Sequence, residues 1–438
     1  MDYQQTLDYI YSFVDYGLKS RYKYSPETFD LTRMRTVLAR LGDPQRKLPS
    51  VHVAGTKGKG SVAAMAASVL QAAGYKAGLY TSPHLHDFCE RIQFDGEPIP
   101  PEALAALTTE LRPLFDSAAD ITTFEITTAL AHEWFARQHA DFAVFEVGLG
   151  GRLDATNVLY PNVCAITSIS YDHTQLLGKT LREIAEEKAG IIKPGAPVVS
   201  APQQDEAAER IVAIAHERGA RLCLLGRDWF VERDGFSLAS QRFEIWREGG
   251  PRREFEIPLL GAHQVDNAAV VVALIEELRG QGFAISEEAI SRGLAQVNWP
   301  GRFEIFRIGG KTVVLDCAHN RDSAAKLVAT LKENFPGARP VLIFGASNDK
   351  DISGMLAELL PMTAQVIVAQ ADHPRASDAA QLADDIRAAG VALLVNIAHT
   401  VPQALAEAQR SSEPLILVTG SIFLVAEVRA KLNSILDF

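Results

Sequence analysis

The segment "HVAGTKGKGSVAAMAASVLQAAG", residues 52–74, constrains this chain more than any other stretch. A short apolar run enters a glycine-rich turn. Val62, Met65, Ala66, Val69 and Leu70 then recur at the spacing of one buried helix face, closed by Gly74. A strand that passes straight into a helix is a βα unit, and such units build parallel sheets covered by helices. The turn suits an anion. Gly55, Gly58 and Gly60 permit close backbone approach, Lys57 and Lys59 add charge, and the helix N-terminus presents its N–H groups. The usual phosphate-loop pattern G-x-x-x-x-G-K-[ST] is nevertheless broken. Gly60 follows Lys59, the Ser61 hydroxyl comes one residue late, and Val53 stands where the leading glycine belongs. The sequence pattern alone leaves two readings: a nucleotide loop of another kind, or a glycine-rich connection with solvated lysines.

The strand–helix alternation continues. "FAVFEV" (142–147) and "VCAITSI" (163–169) are continuously apolar, as expected of buried parallel strands. "FEIWREGGPRREFEIP" (243–258) reads as a β-hairpin turning at Gly249-Gly250, and a helix from about His263 to Arg279 follows. "NWPGR" (298–302) reads as a linker. Beyond it, "TVVLD", "PVLIFG", "AQVIVA" and "PLILVTG" each precede a helical stretch, enough for a second doubly wound domain. The expected organisation is an α/β chain: a larger domain over 1–297 with a mainly parallel sheet and a small β insertion, a hinge at 298–302, and a smaller domain over 303–438.

Composition excludes several classes. A net charge of −11 over 438 residues argues against a general nucleic-acid surface while leaving room for a small anion. Cys89, Cys164, Cys223 and Cys317 are far apart, with no C-x-x-C spacing, which points to a reducing cytoplasm rather than zinc or a disulfide framework. The opening "MDYQQTLDYIYSF" is unlike a signal peptide, and no apolar run approaches the roughly 20 residues a bilayer needs.

Ligands of open α/β sheets bind beyond the carboxyl ends of strands, so the polar groups that follow each apolar run are the candidates. These are the 55–61 loop; Glu146 with "GLGGRLDATN" (148–157); Asp172 and His173; and Asp316 and His319. A carboxylate ending a strand beside a phosphate loop suits Mg²⁺, the alternative being a solvent-exposed strand-end acid. A lone loop histidine such as His173 is more often structural. In "TLREIAEEKAG", Leu181, Ile184 and Ala185 mark one apolar face, and its next member is Lys188. An ammonium there either reaches solvent, pairs with a carboxylate, or points into a charged site.

Together these stretches resemble folylpolyglutamate synthase, often bifunctional with dihydrofolate synthase, in the Mur ligase superfamily. The resemblance spans nearly the whole chain. It rests on "HVAGTKGKGS", "GLYTSPHL" (78–85), "TTFEITTALA" (122–131), "EVGLGGRLDATN" (146–157), "TSISYDHTQLLG" (167–178), "EKAGIIKPG" (187–195), "PGRFE" (300–304), "LDCAHN" (315–320) and "TGSIFLV" (419–425). That family's own loop is G-T-N-G-K-G-S, so the late serine belongs to this ligase type. The resemblance implies a Mur-type central ATP-binding domain and a Rossmann-like C-terminal domain. It also implies ATP-driven amide formation through an acyl phosphate, with L-glutamate as the amine and dihydropteroate or a reduced folate as the acid, in a monomer without nucleic-acid or membrane partners.

By the same resemblance, Gly55, Thr56, Lys57, Gly58, Lys59, Gly60 and Ser61 hold the phosphates of ATP. Asn267, Arg302 and Asp316 contact the same nucleotide. Ser82, Glu146 and His173 serve Mg²⁺, joined by Lys188 if it is carbamylated. Lys59, Lys188, His173, Asp316 and His319 carry the chemistry. His319 and Ser421 face the incoming glutamate, and Phe124 and Asp154 the pterin side. A site shared between domains implies closure about "NWPGR". The sequence departs from the family at Lys57 (usually asparagine), Cys317 (glycine), Arg321 (proline) and Ser347-Asn348. Two other readings are a cell-wall ligase acting on a UDP-muramoyl substrate, disfavoured by the roughly 50 residues before the loop, and a nucleotide-binding regulator without turnover.

Overall fold

The computed structural model of the protein describes residues 1–14, 29, 31–348, 350–389 and 392–436. The chain forms two compact units, one of Met1–Gly235, Arg242–Pro258 and Gln264–Asn298, the other of Phe236–Gln241, Leu259–His263 and Trp299–Phe438. Two short pieces of the insertion region thus belong to the second unit, an exchange that local periodicity does not reveal.

The first unit is organised by an eight-stranded sheet. Its strands are β1 (Ser50–Ala54), β2 (Ala77–Tyr80), β3 (Ile92–Phe94), β4 (Glu97–Pro98), β5 (Phe142–Glu146), β6 (Val163–Ile166), β7 (Val198–Ser200) and β8 (Leu222–Leu224). They run in the order β4-β3-β2-β5-β1-β6-β7-β8. The strands from β2 to β8 pair in parallel, whereas β3 and β4 add an antiparallel edge. Every residue of β1 and β5 is buried, which explains the apolar run Phe142–Phe145 of β5 and the Val51, Val53 and Ala54 of β1: helices cover both faces. The helix Lys59–Ala72 leaves β1 through the glycine loop and stops where Gly74 turns at φ 90°.

Beside this sheet, β9 (Trp229–Phe236), β10 (Gln241–Arg247) and β11 (Arg253–Ile257) form a three-stranded antiparallel insert in the order β11-β10-β9. The expected hairpin is β10–β11, with Gly249 at φ 70°. Strand β9 is an addition, since Glu232, Arg233 and Asp234 break its apolar alternation. The helix Ala262–Gly280 follows the insert.

The second unit holds β12 (Glu304–Ile308), β13 (Lys311–Leu315), β14 (Val341–Phe344), β15 (Gln365–Ala369), β16 (Leu394–Ala398) and β17 (Leu415–Thr419). Their order is β12-β13-β17-β14-β15-β16, parallel except for the antiparallel edge strand β12. The four apolar runs are β13, β14, β15 and β17. The edge strand β16 is apolar apart from Asn396 but partly open, with Leu394 at its start 60% exposed. Among the described residues no helix is long and apolar enough to cross a membrane.

Candidate functional site

The loop after β1 is shaped by what its glycines admit. Gly55 has φ 146°, and a Cβ there would lie 1.8 Å from Oγ1 of Thr167; at Gly58, φ is 90° and a Cβ would lie 2.3 Å from Oδ1 of Asn267. No other residue type fits either position. The amides of Thr56 and Lys57 donate to Ser168 O at 2.9 and 3.2 Å, tying the loop to the segment after β6. The helix then starts at Lys59, with Gly58 as N-cap and no side-chain cap. The first amides of an α-helix have no partner within it, so this end is left for an anion. Lys59 and Ser61 sit in that first turn.

Lys57 behaves differently from the rest of the loop. Its Nζ lies 2.8 Å from Asp172 Oδ2, in a pair with 13% and 14% exposed side chains. His173, at φ 50°, caps the short helix Thr174–Leu177 with its ring 38% exposed.

Glu146 ends β5 and is only 5% exposed, so it is not a solvated strand-end acid. The sheet fixes it: Val53 is its register partner, and the next amide, Val147 N, donates to Val53 O at 2.9 Å. The Ser82 amide, beyond β2, donates to Glu146 Oε2 at 3.0 Å. Lys188 lies on the buried face of the helix Leu181–Ala189 with Leu181, Ile184 and Ala185, and is 5% exposed. It does not reach solvent, and among the described residues it forms no ion pair; its Nζ donates to Gly55 O at 2.8 Å. Burial, reinforced by the charges of Lys59 and Lys57, lowers its pKa to about 7. An amine that is neutral for part of the time near neutral pH is a nucleophile, which ordinary lysine is not.

The loop 148–157 joins these groups. Its Gly151 packs on the carbonyls of Glu187 and Lys188, and the Arg152 amide donates to Glu187 O at 2.7 Å. Asn157 Nδ2 reaches Arg152 O and Gly190 O, while Lys193 Nζ donates to Asn157 Oδ1 at 2.7 Å. Asp154 is 5% exposed and turned inward: it accepts from Leu149 N, Thr156 N and Thr156 Oγ1. Phe124, in the first turn of the helix Thr123–Arg137, lays its ring on Gly148, where a Cβ would come within 2.6 Å. Asn267 is buried, with Nδ2 donating to Gln264 Oε1 at 2.9 Å. Sequence reasoning named the ends of this network but not Ser168, Thr167, Asn157 or Lys193, whose contacts join segments distant in sequence and so carry no local pattern.

In the second unit, Asp316 follows β13 and accepts from Phe303 N and Ala318 N, each at 2.9 Å. Burial raises its pKa, and nearby Arg302 opposes the shift. Cys317 N donates to Gly301 O at 3.0 Å, so Gly301 to Phe303 is bonded into this unit rather than left as a free linker. His319 Nδ1 lies 2.9 Å from Cys317 O. Ser421, after β17, is 5% exposed and its Oγ accepts from Phe423 N. Asp316, His319 and Ser421 therefore lie at the carboxyl ends of β13 and β17, with Arg302 ahead of β12 in the same unit, while the other candidates belong to the first unit.

Among the described residues no three His, Cys, Asp or Glu side chains form a ready metal cage. Mg²⁺ does not need one, since it is bound through one or two carboxylates with phosphate oxygens and retained waters. The buried Glu146 carboxylate held against the Ser82 amide fits that requirement.

A parallel sheet whose carboxyl edge carries an uncapped glycine loop, a buried acid and a buried lysine, together with a second α/β unit, defines a Mur-type ligase. The family comparisons agree: residues 53–275 match the Mur ligase middle domain and residues 301–422 the Mur ligase glutamate ligase domain. Within that class, the chain belongs to the dihydrofolate synthase/folylpolyglutamate synthase family. It is 36% identical to the dihydrofolate synthase/folylpolyglutamate synthase of Bacillus subtilis, over 98% of this chain and 99% of the relative. Folylpolyglutamate synthase of Mycobacterium tuberculosis, solved with ADP and AMPPCP, superposes with a TM-score of 0.87 at 32% identity, covering 98% of this chain and 99% of that one. E. coli FolC, solved with DHPP and ADP, gives 0.87 at 32%, covering 99% and 98%.

Proposed function

We propose that this chain uses ATP to join L-glutamate to the carboxylate of dihydropteroate, of a reduced folate, or of both. A carboxylate is a poor electrophile with a poor leaving group. In the first step its oxygen attacks the γ-phosphorus and ADP departs, giving an acyl phosphate. The glutamate amine then attacks the carbonyl carbon, phosphate leaves, and the nitrogen gives up a proton. Such chemistry is mostly positioning and charge neutralisation.

The glycine loop and Lys59 hold the phosphates, with Asn267, Arg302 and Asp316 on the same nucleotide. Glu146, Ser82 and His173 hold Mg²⁺, which screens phosphate charge when bound. Lys188 would join them as a carbamate, formed when its neutral amine adds to carbon dioxide and the nitrogen releases a proton; its lowered pKa favours that chemistry. Phe124 meets the pterin, and Asp154 acts through the loop it holds. His319 and Ser421 receive glutamate. The reading includes a cytoplasmic monomer whose partners are small molecules.

The observation that carries the proposal is the buried Lys188 bonded to Gly55 O of an uncapped glycine turn. The test is ADP release with Mg²⁺-ATP and L-glutamate, run with dihydropteroate and separately with tetrahydrofolate. Turnover with either acceptor supports the reading and names the activity. Folded protein that releases no ADP with either overturns it in favour of a nucleotide-binding protein without turnover.

A further inference from the structure

The central strand of the first unit carries a histidine where its neighbours are aliphatic. His52 lies in β1 with no exposed surface, in register with Phe145 of β5 and Cys164 of β6. Its Nε2 is 2.8 Å from Oγ1 of Thr156, which is also fully buried. That hydroxyl is 2.5 Å from Asp154 Oδ1, to which the Thr156 amide donates at 3.0 Å. The other oxygen, Oδ2, accepts from Leu149 N at 2.9 Å.

Donor counting favours one proton order. Asp154 receives backbone amides on both oxygens, bonds that favour the ionised, acceptor-only carboxylate against the burial that pushes its pKa up. With Asp154 ionised, the Thr156 hydrogen is spent on Asp154, and Oγ1 accepts from a His52 Nε2–H. Nδ1 is then a bare lone pair, and among the described residues it has no hydrogen-bond partner. Burial also keeps the ring neutral, its pKa well below the ordinary histidine value.

We infer that His52 is a positioning residue for the substrate-side loop: it orients Thr156, Thr156 orients Asp154, and Asp154 holds the backbone at Leu149 next to the Gly148 surface on which Phe124 packs. The inference rests on the reading of Phe124 as a pterin-side residue. The device acts on that loop rather than on the phosphate side. Glu146 is already fixed by the β1–β5 ladder, and the glycine turn by Ser168 O.

The test compares His52→Phe, which keeps a ring without a donor, with His52→Gln, which returns an N–H near the Nε2 position. The KM for the pterin substrate should rise about tenfold in the first, stay within about twofold for ATP, and return most of the way in the second. Thr156→Val, which breaks the same chain without touching β1, should reproduce the His52→Phe result and serves if that variant does not fold. Nitrogen NMR of histidine in the intact protein should show a neutral His52 protonated at Nε2. An unchanged pterin KM, a His52→Gln variant no better than His52→Phe, or the Nδ1–H tautomer would overturn the inference. Phe124→Ala is run alongside. If it leaves the pterin KM unchanged, the substrate reading fails, and with it the purpose assigned to the relay, while the tautomer signal still decides whether the relay exists.

Discussion

Lys57 Nζ lies 2.8 Å from Asp172 Oδ2, so the extra positive charge of the glycine turn is directed to the segment after β6 and not to the anion cradle. The pair is largely out of solvent, where a carboxylate that loses its cation suffers more than one at the surface. Replacing Lys57 by the asparagine usual in the family should therefore leave the KM for ATP within about threefold, whereas Asp172→Asn, which removes this carboxylate from between Lys57 and Lys188, should lower kcat/KM by about tenfold or more. Steady-state ADP release measures both. A tenfold rise in the ATP KM of Lys57→Asn would place Lys57 on the phosphates instead.

Lys188 is a stability burden. Its pKa in the folded protein is about 7 against 10.5 for an ordinary lysine, chiefly through burial. Between those values the unfolded chain binds a proton that the folded chain gives up, so stability rises with pH across this window and the penalty is full below it. Lys188→Met should raise the Tm of the ligand-free protein in bicarbonate-free buffer near pH 6.5, with the gain shrinking towards pH 10. The same variant should lose about a hundredfold or more in turnover. A variant that is destabilised at pH 6.5 and retains activity would remove Lys188 from the site.

Much of this was legible in the sequence because chemistry and fold share one signal. The strand, glycines, lysine and helix of residues 52–74 are contiguous, so their pattern states both the βα unit and the anion site. Lys188 was visible as a charge on an apolar stripe, and it is buried on that stripe. His52 gave the same kind of signal, a polar residue in a central strand, yet one polar letter among apolar neighbours does not say what it bonds. Thr156 and Asp154 are more than 100 positions away, and only the sheet brings them together. The edge strand β9 was hidden for another reason, since a strand with an exposed face carries charged residues, here Glu232, Arg233 and Asp234, that break the apolar run.

His132 offers a test on the stability side alone. It is 3% exposed in the helix Thr123–Arg137, its ring stacks on Phe145 with centroids 4.3 Å apart, and its Nε2 has no hydrogen-bond partner among the described residues. Burial lowers its pKa to about 3 from 6.5. Below 6.5 the unfolded chain takes up a proton that the folded chain refuses, so the contribution is intact above that pH and is lost as pH falls towards 3. The slope for one group is at most about 1.4 kcal/mol per pH unit. His132→Phe should be more stable than the parent at pH 5 by a margin that nearly vanishes at pH 8, read by urea unfolding at both. His52 keeps a similar slope in both proteins. Equal margins at the two pH values would mean that His132 titrates normally in the folded state.

Gly58 and Gly74 form a natural control pair. Both have φ 90°, so alanine at either position pays the same left-handed backbone strain, about 1 kcal/mol. They differ in surroundings. A Cβ on Gly74 meets nothing within 4 Å, whereas one on Gly58 would lie 2.3 Å from Asn267 Oδ1. Gly74→Ala should therefore cost a few degrees of Tm and leave the affinity for ATP analogues unchanged. Gly58→Ala should cost more in Tm, because the Asn267 side chain and the loop must separate. It should also weaken nucleotide binding by about a hundredfold, because the displaced turn carries the amides that face the phosphates. Calorimetric binding of a non-hydrolysable ATP analogue to the two variants separates strain from collision. Equal losses would mean that the turn needs only the conformation of glycine, and that Asn267 is free to move aside.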